Sequence, residues 1–108
     1  MIVRIWRGRI PRAKLDEYVA YMEETGLREY VATPGNQGAR MLSQDQGEEV
    51  EVAMLTFWES WDAIRAFAGE ELDRAVYYDR DREFLTRLDE RVEHFEVLRE
   101  ARPGPAAA

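Results

Sequence analysis

The chain has 108 residues, 45% hydrophobic and none of them cysteine, with a formal charge of −7. That length fits one domain with a modest core, and the acidic balance argues against nucleic acid and anionic membrane as partners, since both attract basic faces. Without cysteine there is no disulfide, thiolate nucleophile or Cys-ligated metal, and Met1 to Arg7 carry no apolar run fit for a signal peptide or membrane span, so cytoplasm is the expected location.

Ile2 to Ile10 reads as a first strand, with Ile2, Arg4, Trp6 and Gly8 on one face. Arg4 beside Trp6 is either a snorkelling edge cation or a guanidinium in a polar-lined pocket. Pro11 and Arg12 open a helix whose apolar positions Leu15, Tyr18, Val19 and Met22 share one face. Gly26 interrupts it, Leu27 to Val31 adds a short turn, and Thr33-Pro34-Gly35-Asn36 ends the segment. Gln37 to Gln46 is a second strand with Ala39, Met41 and Ser43 on one side. A polar hairpin loop, Asp45 to Glu49, leads into a third, Val50 to Trp58, apolar on both faces.

Ser60 is placed to cap a helix carrying Trp61, Ile64, Phe67 and Ala68 on one face, and Gly69 is suited to leaving it at positive φ. Trp58, Trp61 and Phe67 are therefore expected to meet where strand turns into helix, a place for a cavity. Glu70 to Leu88 reads as one or two short helical turns broken near Asp79, with Asp79-Arg80-Asp81-Arg82-Glu83 as solvated surface. Arg91 to Arg99 is the last strand, with His94 and Glu96 on one face, and 101–108 is expected to be a disordered tail after a single domain over 1–100.

The order β-α-β-β-α-β predicts an α+β, ferredoxin-like fold: a four-stranded antiparallel sheet with both helices on one face. The other face would expose Leu55, Phe57, Phe95 and Val97, and a second copy of the sheet packed against it is the simplest cover. A homodimer is expected.

His94 is the only histidine and the one side chain whose ordinary pKa suits proton transfer near neutrality. The competing reading is an imidazole satisfied by a carboxylate such as Glu96. His94 and Glu96 lack a third metal ligand, Asp79 to Glu83 lacks the glycine and distant glutamate of a calcium loop, and no Gly-rich phosphate loop follows a strand. Lys14, the only lysine, starts a surface helix, a poor place for a Schiff base. An aromatic-rich lining with one imidazole, one guanidinium and the phenols of Tyr77 and Tyr78 suits a flat aromatic ligand.

The run Leu55-Thr56-Phe57-Trp58-Glu59-Ser60-Trp61-Asp62-Ala63-Ile64-Arg65-Ala66-Phe67-Ala68-Gly69, with Ala75-Val76-Tyr77-Tyr78 and Val92-Glu93-His94-Phe95-Glu96-Val97, resembles the antibiotic biosynthesis monooxygenase superfamily of dimeric α/β-barrel proteins. The resemblance implies two branches. One oxidises aromatic polyketides without a cofactor; in it His94 would act as base, Arg4 would stabilise the phenolate, and Trp6, Trp58, Phe67, Tyr77, Tyr78 and Phe84 would hold the ring. The other degrades haem, using an Asn on the first strand, a Trp on the second helix and a haem-ligating His after it. Here Ile2 to Ile10 holds no Asn, Phe67 falls at the Trp and Tyr77 at the His, although a tyrosine can ligate ferric haem. The expected function is therefore a cofactor-independent monooxygenase on a small aromatic or polyketide-like substrate, with no cofactor and no metal. A non-catalytic small-molecule-binding module is the alternative from another class.

Overall fold

The computed structural model describes residues 1–104. Strand β1 (Ile2–Pro11) is followed by a 3-10 turn (Arg12–Lys14) and helices α1 (Leu15–Glu24) and α2 (Gly26–Ala32). Strands β2 (Asn36–Gln46) and β3 (Glu49–Trp58) form a hairpin, and α3 (Trp61–Ala68), a single turn α4 (Asp81–Phe84), and the short strands β4 (Arg87–Leu88) and β5 (Glu93–Glu96) complete the chain. The sheet runs β2-β3-β1, with β4 and β5 both paired to the free edge of β1, and every pairing is antiparallel. This is the expected α+β, ferredoxin-like fold, with the sheet left open. No helix among the described residues is long and apolar enough to cross a membrane.

Alternation decides the layers. Ile2, Arg4, Trp6, Gly8 and Ile10 of β1 face the helices and are buried, as are Val50, Val52, Met54, Thr56 and Trp58 of β3. Val3, Ile5, Leu55 and Phe57 occupy the opposite face and are only half-buried, so β3 has one fully buried face rather than the two its apolar run suggests. Ser60 caps α3 as expected, its Oγ accepting from Ala63 N at 3.2 Å, and Gly69 leaves the helix at φ +86°. At Gly8 a Cβ would lie 2.7 Å from the Trp6 ring and 2.9 Å from Leu85. Glycine is what lets the indole lie along its own strand.

Four local expectations change. Pro11 ends β1 instead of opening α1, because it still lies opposite Glu49 in the register. The last strand is not continuous over Arg91 to Arg99. Five residues of β1, from Gly8 back to Arg4, face seven from Leu88 to His94. The two extra residues bulge away and pair instead with the preceding loop, through Ala75 N to Glu90 O at 2.9 Å and Val92 N to Asp73 O at 2.7 Å. Residues 69–80 form an irregular strap, with helical structure only at Asp81–Phe84. Asp81 itself is 3% exposed, not solvated surface. Residues 101–104 carry no regular structure, and the rest of the expected tail, 105–108, lies outside the described residues.

Candidate functional site

Strand β1 organises two neighbouring groups of side chains between sheet and helices. In the first, Arg4 of β1 stands directly opposite His94 of β5. At 3% exposure its guanidinium must find partners inside the protein. Its Nη1 donates to Leu72 O at 2.6 Å and to His94 Nε2 at 3.0 Å, and its Nη2 donates to Arg74 O at 2.8 Å. The Phe67 ring covers it, with the guanidinium carbon 5.7 Å from the centroid. Arg4 thus pins the strap to the sheet.

Accepting at Nε2 fixes the His94 proton on Nδ1, which faces Asp73 Oδ1 at 3.6 Å. The His94 side chain is 5% exposed. Burial, then the Arg4 charge, holds its pKa below the usual value, against the opposing pull of Asp73. The sign for stability follows. The unfolded chain takes up the proton first as pH falls below the ordinary histidine range, so this contribution is complete above about pH 6.5 and shrinks on acidification toward the lower folded pKa. Wild type should therefore lose stability relative to His94→Gln between pH 7 and pH 5. Urea midpoints measured across that range would expose a mistaken assignment by running parallel for the two proteins.

The second group surrounds Tyr77, on the strap. Its Oη accepts from Trp6 Nε1 at 3.2 Å and donates to Asp89 O, and the two rings meet edge to face at 6.2 Å. Tyr77 lines an interior cavity with Trp6, Tyr18, Met22, Tyr30, Val76, Tyr78 and Asp81, but the space is only about 10 Å³. That is the lower limit for one water. On the outer side Tyr77 borders a cleft of about 340 Å³ with Arg74, Ala75, Arg82, Leu88 and Glu90. It also borders a cleft of about 380 Å³ with Tyr21, Thr25, Tyr78, Asp79 and Arg80. A larger groove of about 740 Å³ runs past Phe57, Val97 and Arg40, on the open side of the sheet and away from these aromatics.

Of the residues expected at a site, the structure brings Trp6, Tyr77 and Tyr78 around the cavity, and Arg4, His94 and Phe67 into the neighbouring group. Trp58 is fully buried and meets Phe67 at 5.5 Å. Tyr30 joins the groups, packing on Phe67 at 5.0 Å and on Trp58 at 6.5 Å while lining the cavity. Trp61 does not join Trp58 and Phe67; it is 38% exposed and sets its ring edge to face against His94 at 5.4 Å. Phe84 sits apart, between Tyr18 at 5.3 Å and Tyr21 at 5.5 Å. Tyr18, Tyr30 and Asp81 are lining residues that pattern reading passes over. The first is an ordinary core position of α1, and Asp81 is hidden by its charged neighbours. Burial raises the pKa of Tyr18, Tyr77 and Tyr78, and pushes Tyr30 up to about 12 against the opposing Arg4 charge.

No family model and no curated protein matches the sequence. Solved structures do. The chain is similar to the haem-degrader MhuD (Rv3592) of Mycobacterium tuberculosis with two haems bound in its active site, at 21% identity and a TM-score of 0.63, covering 94% of this chain and 99% of that one. A point mutant of MhuD with two manganese protoporphyrin IX per active site aligns at 20% identity and a TM-score of 0.59 over 95% and 100% of the two chains. Rv0793 of Mycobacterium tuberculosis aligns at 18% identity and a TM-score of 0.53 over 94% and 100%. At such identities the likeness is one of fold.

These neighbours overturn the expectation that no cofactor belongs here, because two structures of this fold hold porphyrins in their active sites. The lining of this chain fits such a group in chemistry, with several aromatic rings and phenols able to ligate iron. In the closed form it does not fit in space. The cavity of about 10 Å³ admits no macrocycle, and Tyr77 Oη is bonded on both sides. A flat ligand in this cavity would require the strap to move.

Proposed function

We propose that the chain binds a flat conjugated ring, a porphyrin being the first candidate, beneath the strap of residues 69–80, and acts as a monooxygenase on it. The observation that supports this is the position of Tyr77. Its side chain borders the interior cavity and both outer clefts, so its displacement would open a path between them into a space of the size that small-molecule sites occupy. The strap is built for such a movement, held by a few loop hydrogen bonds and the Arg4 guanidinium rather than by a helix ladder. In this reading Trp6 and Tyr30 offer ring faces, and Arg82, which has no ion-pair partner among the described residues, stands at the mouth to meet a carboxylate. Arg4 and His94 act from behind Phe67 by holding the strap. Bound haem iron would supply oxygen activation, and the aromatic walls would exclude bulk water.

Hemin titration is the direct test. The Soret band should shift on addition of one equivalent per chain, and Tyr77→Phe should move or abolish that shift, because Tyr77 is the phenol that borders the interior cavity and both outer clefts. An unchanged Soret band with wild type would end the haem reading.

We further propose that the open face of the sheet pairs with a second copy. Phe95 is 56% exposed and Leu42 44%, and Val3, Ile5, Leu55 and Phe57 lie half-buried beside them, an apolar patch a monomer rarely leaves in water. The ion pairs Arg7 to Glu93 and Arg9 to Glu51 flank it. Phe57→Glu should convert a dimer to a monomer in sedimentation equilibrium, because a carboxylate would be desolvated at the centre of the contact. A single mass for both proteins would contradict the pairing.

A further inference from the structure

Asp81 is an unusual residue to find under the strap. It is 3% exposed; its Oδ2 accepts from Tyr78 N, whereas its Oδ1 has no partner among the described residues. Tyr78 Oη is also buried with no hydrogen bond of ordinary geometry, and burial, then the neighbouring Glu29 carboxylate, raises its pKa. Both side chains line the cavity of about 10 Å³, whose wall holds several phenols, one carboxyl, and no Arg, Lys or His. Buried acceptors of this kind are rare and costly unless something donates to them.

We propose that Asp81 is the polar anchor of the ligand site, so that among small rings one turning a hydroxyl or N–H donor toward it binds more tightly than one turning only an acceptor or an anion. The inference rests on the reading that a flat ring enters beneath the strap. The free volume matches one water-sized group, which a ring hydroxyl is, and the unpaired oxygen supplies its acceptor. An anionic substituent would meet a carboxylate with no cation in the wall to offset it. Carboxylates on the same ligand belong instead at the mouth, in the cleft that Arg74 and Arg82 line. Tyr78 is the second wall of the anchor, and its amide fixes the Asp81 rotamer so that Oδ1 stays turned to the cavity.

The test uses the full chain and three probes of one ring system: 2-naphthol, 2-methoxynaphthalene and 2-naphthoate, titrated by amide NMR shifts at Tyr78 and Asp81. Wild type should bind 2-naphthol about tenfold tighter than either of the others. Asp81→Asn keeps an oxygen for Tyr78 N and turns an amide N–H into the cavity, so it should reverse the preference between naphthol and methoxynaphthalene. A purely structural Asp81 gives no such reversal. Equal wild-type affinity for naphthol and methoxynaphthalene overturns the anchor whether or not the variant folds. If hemin still shifts its Soret band in that case, the ring site survives and only the anchor is lost; if no probe binds and hemin is silent, both fall.

Discussion

Arg4→Ala should destabilise the protein by roughly 2–4 kcal/mol and release the strap while leaving the β2-β3 hairpin intact. The guanidinium makes three charge-assisted bonds, to Leu72 O, Arg74 O and His94 Nε2, each worth about 1.5–3 kcal/mol. Burial sets a large cost against that sum, and it is what lowers the Arg4 pKa, with Tyr30 and Asp73 opposing. The net is a loss, because alanine leaves two carbonyls and an imidazole nitrogen facing a void that no side chain can reach. Arg4→Met keeps the aliphatic stem and removes the desolvation cost, so its penalty should be about half as large. Amide exchange separates strap release from general weakening. Ala75 and Val92, which tie the strap to the bulge, should exchange much faster in Arg4→Ala, while amides of β3 opposite β2 change only with global stability. Equal acceleration at both places would mean that Arg4 supports the whole sheet and no latch exists.

The parts of this architecture that rest on periodicity were readable from the chain. Alternation placed β1 and β3, the Ser60 cap and Gly69 bounded α3, and the order of elements gave the ferredoxin-like plan. Long-range pairing was not readable. The two residues that bulge between β4 and β5 are set by what the strap offers to Glu90 O and Val92 N, and nothing local in Asp89 to Val92 announces it. The same applies to the site. Tyr77 and Tyr78 stood out as aromatics, whereas Asp81 sits between Arg80 and Arg82 in a run that reads as solvated charge, and only the packing of α4 beneath the strap buries it. His94 and Arg4 were legible as chemistry-bearing residues. Their direct bond depends on the β1-β5 register, which a shift of one residue would undo.

Trp58→Ala should cost about 3–5 kcal/mol, in the range of the largest single truncations of a core. Trp58 has no exposed surface, packs on Tyr30 and Phe67, and its Nε1 donates to Thr56 Oγ1 at 2.8 Å. Thr56 Oγ1 in turn donates to the backbone oxygen of Arg4 at 3.3 Å, so the indole also steadies the strand that carries the latch. Alanine leaves an apolar hole walled by rings, of the kind that stays dry and takes up small apolar molecules. Benzene should therefore raise the thermal midpoint of Trp58→Ala in a concentration-dependent way and leave wild type unmoved, since the closed interior offers only about 10 Å³. A wild type stabilised by benzene as strongly as the variant would mean that open apolar space already exists between sheet and helices. The strap would then have nothing to gate, and a flat ligand could enter without displacing Tyr77.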